Sequence, residues 1–350
     1  MVSEDTESGA TLVLQISRRK GSMKHRVWMV QQENGNFVEI EVPRPEPRTG
    51  EVLVKIASSG VSLLDTKIRA GKAAHAKQPL PAVLGLDMAG TVVEIGSDAT
   101  LFQPGDEVYG MVGGVGGLQG TLAEYIAVDQ NLLALKPRRL SMREAAALPL
   151  NTITAWEGLV DRANLSAYKS VLVHAGAGGV GHLAVQIAKA YGAQVFATVS
   201  KDKFSIVESY GATPIDYTVM SAEQYLADFT GGEGFDIIYD TLGGATLDDS
   251  FKVAKHYTGH VVSCLGWGMH ALAPLSFRGA TYSGVFTLMP LQTNRGRAHH
   301  GEIMARAAEL ADKGMLRPLI SEQRFTTGDI EAAYAYVAAS GKGKAVIEIE

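Results

Sequence analysis

The glycine-rich stretch Val171-Leu-Val-His-Ala-Gly-Ala-Gly-Gly-Val-Gly181 decides how this chain folds. Its apolar start predicts a strand, and apolar residues then recur at helical spacing, at Val180, Leu183, Ala184, Ile187, Ala188 and Tyr191. Gly176, Gly178 and Gly181 fill a G-x-G-x-x-G pattern between the strand and the helix. A phosphate can approach the backbone only where no Cβ intrudes, and the helix N-terminus offers it unpaired N–H groups. With a second strand at Gln194–Val199, the stretch predicts a dinucleotide-binding βαβ unit rather than a glycine-rich loop without a ligand.

Strand and helix patterns alternate from Ser170 onward. The predicted strands are Val171–Ala175, Gln194–Val199, Thr213–Tyr217, Phe235–Asp240, His260–Leu265 and Thr281–Phe286. Because helical patterns lie between most of the first five, the region is predicted to form a doubly wound parallel sheet of the α/β class. Two further helices are predicted at Gly301–Lys313 and Asp329–Ala339. A last strand, Ala345–Glu350, has no place in this sheet and is predicted to return to the N-terminal part of the chain.

Short strands and turns dominate the chain from Lys24 to about Leu150. The predicted strands are Arg26–Val30, Phe37–Val42, Glu51–Ile56, Gly90–Ile95, Glu107–Tyr109 and Leu122–Val128. This spacing is typical of an all-β, barrel-like unit. Ser141 and Glu144 have the spacing of a capping box, which predicts a helix through Ala147. The glycine-rich residues 110–120 precede another strand rather than a helix, so we interpret them as a loop over a cleft and not as a phosphate site.

Composition excludes several classes of protein. The chain is 46% hydrophobic and 20% charged, which are ordinary values for a folded globular protein. A net charge of -5 argues against a broad nucleic-acid-binding surface. Cys264 is the only cysteine, so neither an internal disulfide nor a multi-cysteine zinc site can form, and a reducing compartment is favoured. Since no apolar run approaches the ~20 residues of a membrane span, we expect a cytoplasmic protein with no nucleic-acid or membrane partner.

The end of the second predicted strand indicates which nucleotide is bound. A ribose-binding acid is expected there, roughly 20 residues after the glycines, but Ser200 occupies the position. A carboxylate would repel a 2′-phosphate, whereas a serine followed by Lys201 and Lys203 attracts one, and Tyr217 could support the same phosphate. The pattern therefore favours NADPH over NADH. In the alternative interpretation both lysines are ordinary solvent-exposed residues, and Asp202 weakens the positive patch.

A series of short segments, in a fixed order along the chain, connects it with a known family. They are Gly60-Val-Ser-Leu-Leu-Asp-Thr66 with Arg69 and Gly71, Gly85-Leu-Asp-Met-Ala-Gly90, Gly105-Asp-Glu-Val-Tyr109, Ala147-Leu-Pro-Leu150, Thr152-Ile-Thr-Ala155, Val171 to Gly181, and Gly341-Lys-Gly-Lys-Ala-Val346. From Lys24 to Glu350 the chain thus resembles the medium-chain dehydrogenase/reductase superfamily, and within it the zinc-independent quinone oxidoreductase (zeta-crystallin-like) branch. The resemblance implies a GroES-like β-barrel catalytic domain at residues 23–152 and 291–350, and an inserted Rossmann NADP-binding domain at residues 153–290, with the active cleft between them. Residues 1–22 would be an N-terminal extension, whose order stays open.

The resemblance also implies which residues hold the cofactor. Thr154 would contact a phosphate or the ribose. The pyrophosphate would lie against the turn formed by Gly176, Ala177, Gly178, Gly179, Val180 and Gly181. The 2′-phosphate would meet Ser200, Lys203 and Tyr217, and the nicotinamide would lie beside two loops that contain Leu265, Gly266, Phe286 and Leu288. Lys344 would lie near the cofactor, unless it is a solvated loop lysine.

The metal ligands of the zinc-containing relatives are missing from this chain. Those relatives carry a cysteine near the segment that begins at Gly60 and a His-Glu pair after the glycine that matches Gly85. This chain has Ser59 and Ser62 in the first region and Leu86-Asp87 in the second. Since a carboxylate alone is a poor zinc site, no metal is expected.

A metal-free cleft favours a conjugated electron acceptor. Without zinc an alcohol or a simple aldehyde is hard to polarise, whereas a quinone or an enone spreads negative charge over its own conjugated system. We therefore expect NADPH to transfer a hydride to a small-molecule acceptor, either a quinone or the β-carbon of an α,β-unsaturated carbonyl, with solvent as one source of the proton. Lys67 and Ser62 are candidate donors of a hydrogen bond to the developing enolate, although Lys67 is an ordinary surface lysine in the alternative interpretation.

Two departures from the family pattern leave the acceptor open. Ser62-Leu63 stand where relatives usually have Asn-Pro-like residues, and Lys67 stands where they often have an aromatic residue such as tyrosine. An enoyl-thioester or alkenal reductase of the same superfamily is therefore an alternative. A third alternative is an NADPH-binding protein with little catalysis, acting as a structural or nucleic-acid-binding factor.

We do not expect the remaining histidines or the cysteine to take part in catalysis. His75, His270 and the pair His299-His300 are interpreted as surface or loop residues, and Cys264 as a core residue. The apolar strand Thr281–Phe286 is expected at an edge of the parallel sheet, where it could pair with a second copy of the chain. Together with the habit of the family, this predicts a homodimer.

Overall fold

The computed structural model describes residues 23–350, and the predicted extension at residues 1–22 lies outside the described residues. The described part contains three β-sheets, with three, seven and six strands. The first two form the predicted barrel-like domain, and the six-stranded sheet forms the second domain.

The barrel-like domain begins with eight strands. They are β1 (Lys24–Val30), β2 (Phe37–Pro43), β3 (Glu51–Gly60), β4 (Ala82–Val83), β5 (Asp87–Ile95), β6 (Glu107–Met111), β7 (Tyr125–Asp129) and β8 (Ala134–Leu135). β1 pairs antiparallel with β2 and β4, and β3 pairs antiparallel with β5 and β7. The helices of this part are α1 (Leu63–Arg69), α2 (Met142–Ala145) and α3 (Pro149–Trp156), with 3₁₀ turns at Ala74–Ala76 and Gln130–Leu132. A π-helical turn, Glu157–Arg162, continues α3 towards the second domain.

Two elements of this domain are shorter than the sequence predicts. The strand expected over Leu122–Val128 pairs with β3 only from Tyr125 onward, because the backbone of Leu122 bonds to Leu84 and Trp28 instead. The capping box of the following helix is present: Ser141 Oγ accepts from Glu144 N at 3.2 Å, and Ser141 N donates to Glu144 Oε2 at 2.8 Å. The helix it starts ends at Ala145, before the predicted end.

The predicted doubly wound sheet is confirmed. Its strands are β9 (Ser170–His174), β10 (Gln194–Val199), β11 (Thr213–Asp216), β12 (Ile237–Asp240), β13 (His260–Ser263) and β14 (Thr281–Gly284). All pairs are parallel, in the order β11-β10-β9-β12-β13-β14. The connecting helices are α4 (Gly181–Ala190), α5 (Phe204–Glu208), α6 (Ala222–Thr230), α7 (Ala245–Val253) and α8 (Ala273–Phe277), with a 3₁₀ turn at Lys201–Lys203. The strand order reverses between β9 and β12, and in open α/β sheets the carboxyl ends of the strands at such a point border the ligand crevice.

Apolar side chains cover both faces of this sheet. In β9, Val171 and Val173 belong to a core that is continuous with the barrel-like domain, whereas Leu172 belongs to a second core beneath α6 and α7. All three are fully buried, as expected of a parallel strand with helices on both sides. The alternation follows from the two-residue period of a strand.

The tail of the chain returns to the barrel-like domain. Its helices are α9 (Met289–Thr293), α10 (Arg297–Asp312) and α11 (Ile330–Ala338), with a 3₁₀ turn at Thr327–Asp329 and the strands β15 (Phe325–Thr326) and β16 (Val346–Glu348). β16 pairs antiparallel with β3, so the predicted return of the last strand is confirmed. Within residues 23–350, every helix is too short or too polar to cross a membrane.

Candidate active site

Two adjoining cavities open at the carboxyl ends of the parallel strands. The interdomain cavity has a volume of about 350 Å³ and is lined by residues of both domains, among them Lys67 and Phe286. The strand-end cavity has a volume of about 510 Å³ and is lined by residues that follow the parallel strands, among them Ser200. The two cavities adjoin at Ala175, Gly178 and Leu242, which line both, and together they are called the cleft.

The glycine turn after β9 lies where the two cavities meet. A Cβ on Gly176 would lie 2.5 Å from Ala197 Cβ, and one on Gly181 would lie 2.1 Å from Ala175 O, so these glycines let the turn pack closely. A Cβ on Gly178 would meet only atoms of Ala175 within 4 Å, the nearest at 3.1 Å, and would extend towards the cleft. A pyrophosphate fits a bare backbone of this kind, because α4 begins directly after it and presents its N-terminal N–H groups.

The residues predicted to meet a 2′-phosphate are brought together by the fold. Ser200, Lys203 and Tyr217 all line the strand-end cavity, as does Ala177 of the glycine turn. Within the described part of the chain, Lys203 is the only lysine or arginine among the residues that line this cavity. Among residues 23–350, Lys203 is therefore the one cation of this cavity available to the predicted phosphate, and Glu223 and Asp249 place two carboxyl groups in the same cavity.

His174 is a residue of this cavity that the sequence did not single out. Its Nδ1 lies 3.1 Å from Thr198 Oγ1, which also accepts a hydrogen bond from Ala175 N at 3.2 Å. Because the Thr198 oxygen has two lone pairs, either Nδ1 or the hydroxyl can be the donor in this contact. Burial lowers the pKa of His174 to about 4, so the ring is neutral at pH 7. Nε2 is buried and has no partner among residues 23–350, so His174 leaves one ring nitrogen unpaired at the wall of this cavity. The feature of the sequence that could have identified His174 is a polar residue at the end of an apolar strand.

The interdomain cavity contains most of the residues predicted to lie beside the nicotinamide. It is lined by Thr154, Gly178, Gly179, Val180, Leu265, Phe286 and Leu288. The hydroxyl of Thr154 donates to Leu150 O at 2.7 Å, which fixes its side chain in the cavity wall. Four predicted residues line neither cavity, namely Gly176, Gly181, Gly266 and Lys344. A Cβ on Gly266 would lie 2.1 Å from Tyr282 Oη, so this glycine serves the packing of its loop.

The two catalytic candidates lie at opposite ends of α1, Ser62 before its first residue and Lys67 in its last turn. Ser62 is the N-cap of this helix: its Oγ accepts from Asp65 N at 3.3 Å and donates to Asp65 Oδ2 at 2.9 Å. The hydroxyl proton of Ser62 is thus engaged by Asp65. Lys67 lines the same cavity, is partly exposed, and has no hydrogen bond or ion pair from Nζ to the part of the chain that the structure describes. Its ammonium group is therefore available to a ligand.

Lys344 lies in a buried cluster of charges rather than in the cleft. Its Nζ is 3.1 Å from Asp87 Oδ2, and both side chains are buried. Asp87 Oδ1 accepts from Leu150 N at 2.9 Å, and Asp65 Oδ1 accepts from Gly85 N at 3.2 Å. Burial raises the pKa of both carboxyl groups, that of Asp65 to about 6. The cluster ties together α1, α3 and the returning C-terminal segment.

One histidine is not the surface or loop residue that the sequence suggested. His300 is fully buried, with Nε2 3.3 Å from Glu157 Oε1. His75 is a partly exposed residue of the 3₁₀ turn Ala74–Ala76, and it lines the interdomain cavity. Cys264 also lines the interdomain cavity. Burial raises the pKa of its thiol to about 12, so the sulfur stays protonated and is unsuited to act as a nucleophile.

Comparisons with known proteins agree with this arrangement. A model of the alcohol dehydrogenase GroES-like domain matches residues 48–138, and a model of zinc-binding dehydrogenases matches residues 179–295. The 2-methylene-furan-3-one reductase of Solanum lycopersicum is 37% identical over 319 residues, which cover 89% of this chain and 74% of that protein. The chloroplastic NADPH-dependent alkenal/one oxidoreductase of Arabidopsis thaliana is 34% identical over 358 residues, which cover 99% of this chain and 85% of that protein. A solved structure of an alcohol dehydrogenase superfamily protein from Novosphingobium aromaticivorans is 52% identical, with a TM-score of 0.91 and coverage of 93% of this chain and 100% of that chain.

The fold and the cleft define an oxidoreductase that takes a nicotinamide cofactor. The chain belongs to the medium-chain dehydrogenase/reductase superfamily, in its quinone/enone reductase-like branch. The predicted family, fold class and oxidoreductase activity are thereby confirmed.

A zinc ion, which the description of one matching family model implies, does not fit the residues of this chain. Ser59 Oγ and Thr121 Oγ1 share a buried hydrogen bond of 2.7 Å, and Asp87 is paired with the ammonium group of Lys344. Among residues 23–350, no group of three or more His, Cys, Asp or Glu side chains could hold a metal ion. A protein zinc site needs three or four such ligands, so no step of the reaction is assigned to a metal.

Proposed function

We propose that the protein reduces the carbon–carbon double bond of α,β-unsaturated carbonyl compounds with NADPH, without a metal ion. The observation that carries this proposal is Lys67, a lysine with no partner among the described residues, in a mainly apolar cavity next to the glycine turn. A conjugated acceptor needs a donor at its oxygen rather than a Lewis acid, because its negative charge is delocalised as it forms. Two relatives are named for an alkenal/one and for a methylene-furanone, which supports an enone. A quinone is the second acceptor class, since it delocalises charge in the same way.

The strand-end cavity supports NADPH as the reductant. Ser200 and Lys203 stand where a carboxylate would repel a 2′-phosphate, and Tyr217 lines the same cavity. Glu223 and Asp249 also line this cavity and would repel an anion. The preference for NADPH therefore depends on Ser200, Lys203 and Tyr217. The Arabidopsis relative is named as NADPH-dependent, which agrees with this choice.

The side chains of the interdomain cavity bind the carbonyl oxygen of the acceptor and exclude water from it. When bound, the reduced cofactor would supply the hydride to the β-carbon, and solvent would supply the proton that the α-carbon takes up. Lys67 donates a hydrogen bond to the carbonyl oxygen, where negative charge develops. Ser62 is the second candidate donor, and it must exchange its bond to Asp65 before it can serve. Leucine side chains on the cavity walls exclude water, which strengthens the interaction between the ammonium group and the oxygen.

The full chain, NADPH and a matched pair of ketones test this proposal. Methyl propenyl ketone carries the conjugated double bond, and methyl propyl ketone is its saturated counterpart. We expect NADPH to be oxidised with the first and not with the second, and the product of the first to be methyl propyl ketone. If neither enones nor benzoquinone oxidise NADPH while the cofactor still binds, the proposal fails in favour of a cofactor-binding protein with little catalysis.

We also propose that the protein is a cytoplasmic homodimer. β14 is an edge strand of the parallel sheet, which supports pairing of two copies through Thr281–Gly284. Sedimentation equilibrium should give twice the mass of one chain, and a monomer at micromolar concentration would contradict the proposal. The single cysteine supports a reducing compartment, although the Arabidopsis relative is named as chloroplastic.

A further inference from the structure

Aromatic side chains from both domains meet at the interdomain cavity. His75 belongs to the 3₁₀ turn Ala74–Ala76 of the barrel-like domain, whereas Trp267 follows β13 and Phe286 follows β14. The ring centroids of His75 and Trp267 lie 4.4 Å apart with an interplanar angle of 66°, and those of His75 and Phe286 lie 6.4 Å apart. All three residues line the cavity. Edge-to-face contacts of this kind are favourable, so the three rings form a defined surface.

Trp267 is exposed where the other tryptophans are buried. It is 53% exposed, compared with 4% for Trp28 and 7% for Trp156. Leu63 and Leu242, which line the same cavity, are each 53% exposed as well. Apolar surface left in water at a cavity is typical of a ligand-binding site, because a ligand that covers it gains the free energy of burial.

The aromatic surface is neutral and lies beside a cation. Burial, followed by the positive charge of Lys67, lowers the pKa of His75, so its ring is neutral at pH 7. Gln292 Nε2 donates to His75 O at 2.7 Å, which holds the turn against α9. A neutral, flat group can therefore lie on these rings while an attached oxygen atom reaches Lys67.

We propose that Trp267 and His75 form the subsite for an aryl group on the carbonyl carbon of the acceptor, which makes Trp267 a specificity-determining residue. The inference rests on the proposed reduction of enones and names the class within it: aryl ketones with a conjugated double bond. We place the aryl group at the carbonyl end of the acceptor because Lys67, which holds the oxygen, lies near His75. The ring of His75 in turn packs against Trp267. The hydride-accepting carbon then points away from Trp267.

Three acceptors that differ only in one substituent test this assignment. Phenyl, cyclohexyl and methyl propenyl ketone share the reacting double bond, and cyclohexyl matches phenyl in size without being aromatic. We measure the ratio of kcat/KM for the phenyl ketone to kcat/KM for the methyl ketone. Trp267→Leu should lower this ratio about tenfold, whereas Trp267→Phe, which keeps a ring, should lower it far less. Phe277→Ala is the matched control, because Phe277 is 83% exposed in the same domain and lines neither cavity.

A second measurement does not depend on turnover. Since Trp28 and Trp156 are buried, quenching of tryptophan fluorescence by acrylamide reports mainly Trp267. In the presence of NADP⁺, phenyl propyl ketone should reduce this quenching, and methyl propyl ketone should not.

The outcomes separate this inference from the function on which it rests. If the wild type reduces the methyl ketone but Trp267→Leu leaves the phenyl-to-methyl ratio unchanged, the aryl subsite is wrong and the enone reductase stands. If phenyl and cyclohexyl ketones respond equally to Trp267→Leu, the site recognises bulk and the aryl assignment is overturned. If the wild type reduces none of the three ketones, the proposed function falls and the inference falls with it.

Discussion

Lys344 Nζ and Asp87 Oδ2 form a buried ion pair of 3.1 Å that joins the returning C-terminal segment to the start of β5. Asp87 also accepts a hydrogen bond of 2.9 Å from Leu150 N, in the first turn of the helix that carries Thr154. The pair thus holds the returning C-terminal segment against α3. In this chain it lies in the region where the zinc-containing relatives have their His-Glu pair.

Removing one partner of this pair should destabilise the fold strongly. Lys344→Met leaves the Asp87 carboxylate buried without its countercharge, which is expected to cost about 3–5 kcal/mol of unfolding free energy. The double variant Lys344→Met/Asp87→Asn removes both charges and should recover much of this loss. Urea unfolding measures all variants, with Lys342→Met as the control because Lys342 is an exposed lysine of the same segment. Equal stability of Lys344→Met and Lys342→Met would contradict the role given to the pair.

Asp65 should make the stability of the protein depend on pH in an unusual direction. The pKa of its carboxyl group is raised from 3.8 to about 6, chiefly by burial. Between these values the folded state binds more protons than the unfolded chain, so ionisation of Asp65 lowers stability as the pH rises. The loss is on the order of 3 kcal/mol and is complete above the folded pKa.

Asp65→Asn isolates this contribution because it removes the titrating group. The variant loses an acceptor for Ser62 and starts from lower stability, but its stability relative to the wild type should improve from about pH 4 to about pH 7. Urea unfolding across this range gives the difference at each pH. Asp228→Asn, at an exposed position of α6, is the matched control. A difference for Asp65→Asn that stays constant across this pH range would show that Asp65 ionises equally in both states.

Lys67 should contribute to the rate of reduction rather than to cofactor binding. Lys67→Met keeps most of the apolar stem and removes the donor, so kcat with an enone should fall by about a hundredfold. The dissociation constant of NADPH should stay within about twofold, since Lys67 does not line the strand-end cavity, where the 2′-phosphate is expected. Lys72→Met, an exposed lysine that lines neither cavity, serves as the control. Unchanged kcat in Lys67→Met would remove Lys67 from the mechanism.

The sequence predicted the parts of this structure that depend on local patterns. The glycine turn, the alternation of strands and helices and the return of the last strand all follow from residues that are neighbours or regularly spaced. The pair of Asp87 and Lys344 was beyond such patterns, since 257 positions separate its members. The contact between His75 and Trp267 was beyond them for the same reason, because only the docking of two domains brings these rings together. Ser62 and Asp65 are close in sequence, but their residue types alone do not show that the hydroxyl of Ser62 donates its proton to Asp65.

Lys203 should decide the preference between the two nicotinamide cofactors. Lys203→Ala is expected to raise the dissociation constant of NADPH about tenfold and to leave that of NADH nearly unchanged, because only NADPH carries the 2′-phosphate. Lys201→Ala is the control, since Lys201 is exposed and lines neither cavity. Isothermal titration of each cofactor measures the effect. A wild-type protein that binds NADH more tightly than NADPH would overturn the assignment of this subsite.

We propose that the cleft directs a hydride from NADPH to the β-carbon of a conjugated ketone. An isotope experiment tests this with the full chain, methyl propenyl ketone and NADPH that carries deuterium at the transferable position of the nicotinamide. We expect methyl propyl ketone with a single deuterium on the carbon that was β to the carbonyl. Deuterium on the carbonyl carbon of an alcohol product would contradict it, as would the absence of any product when saturable binding of NADPH is present.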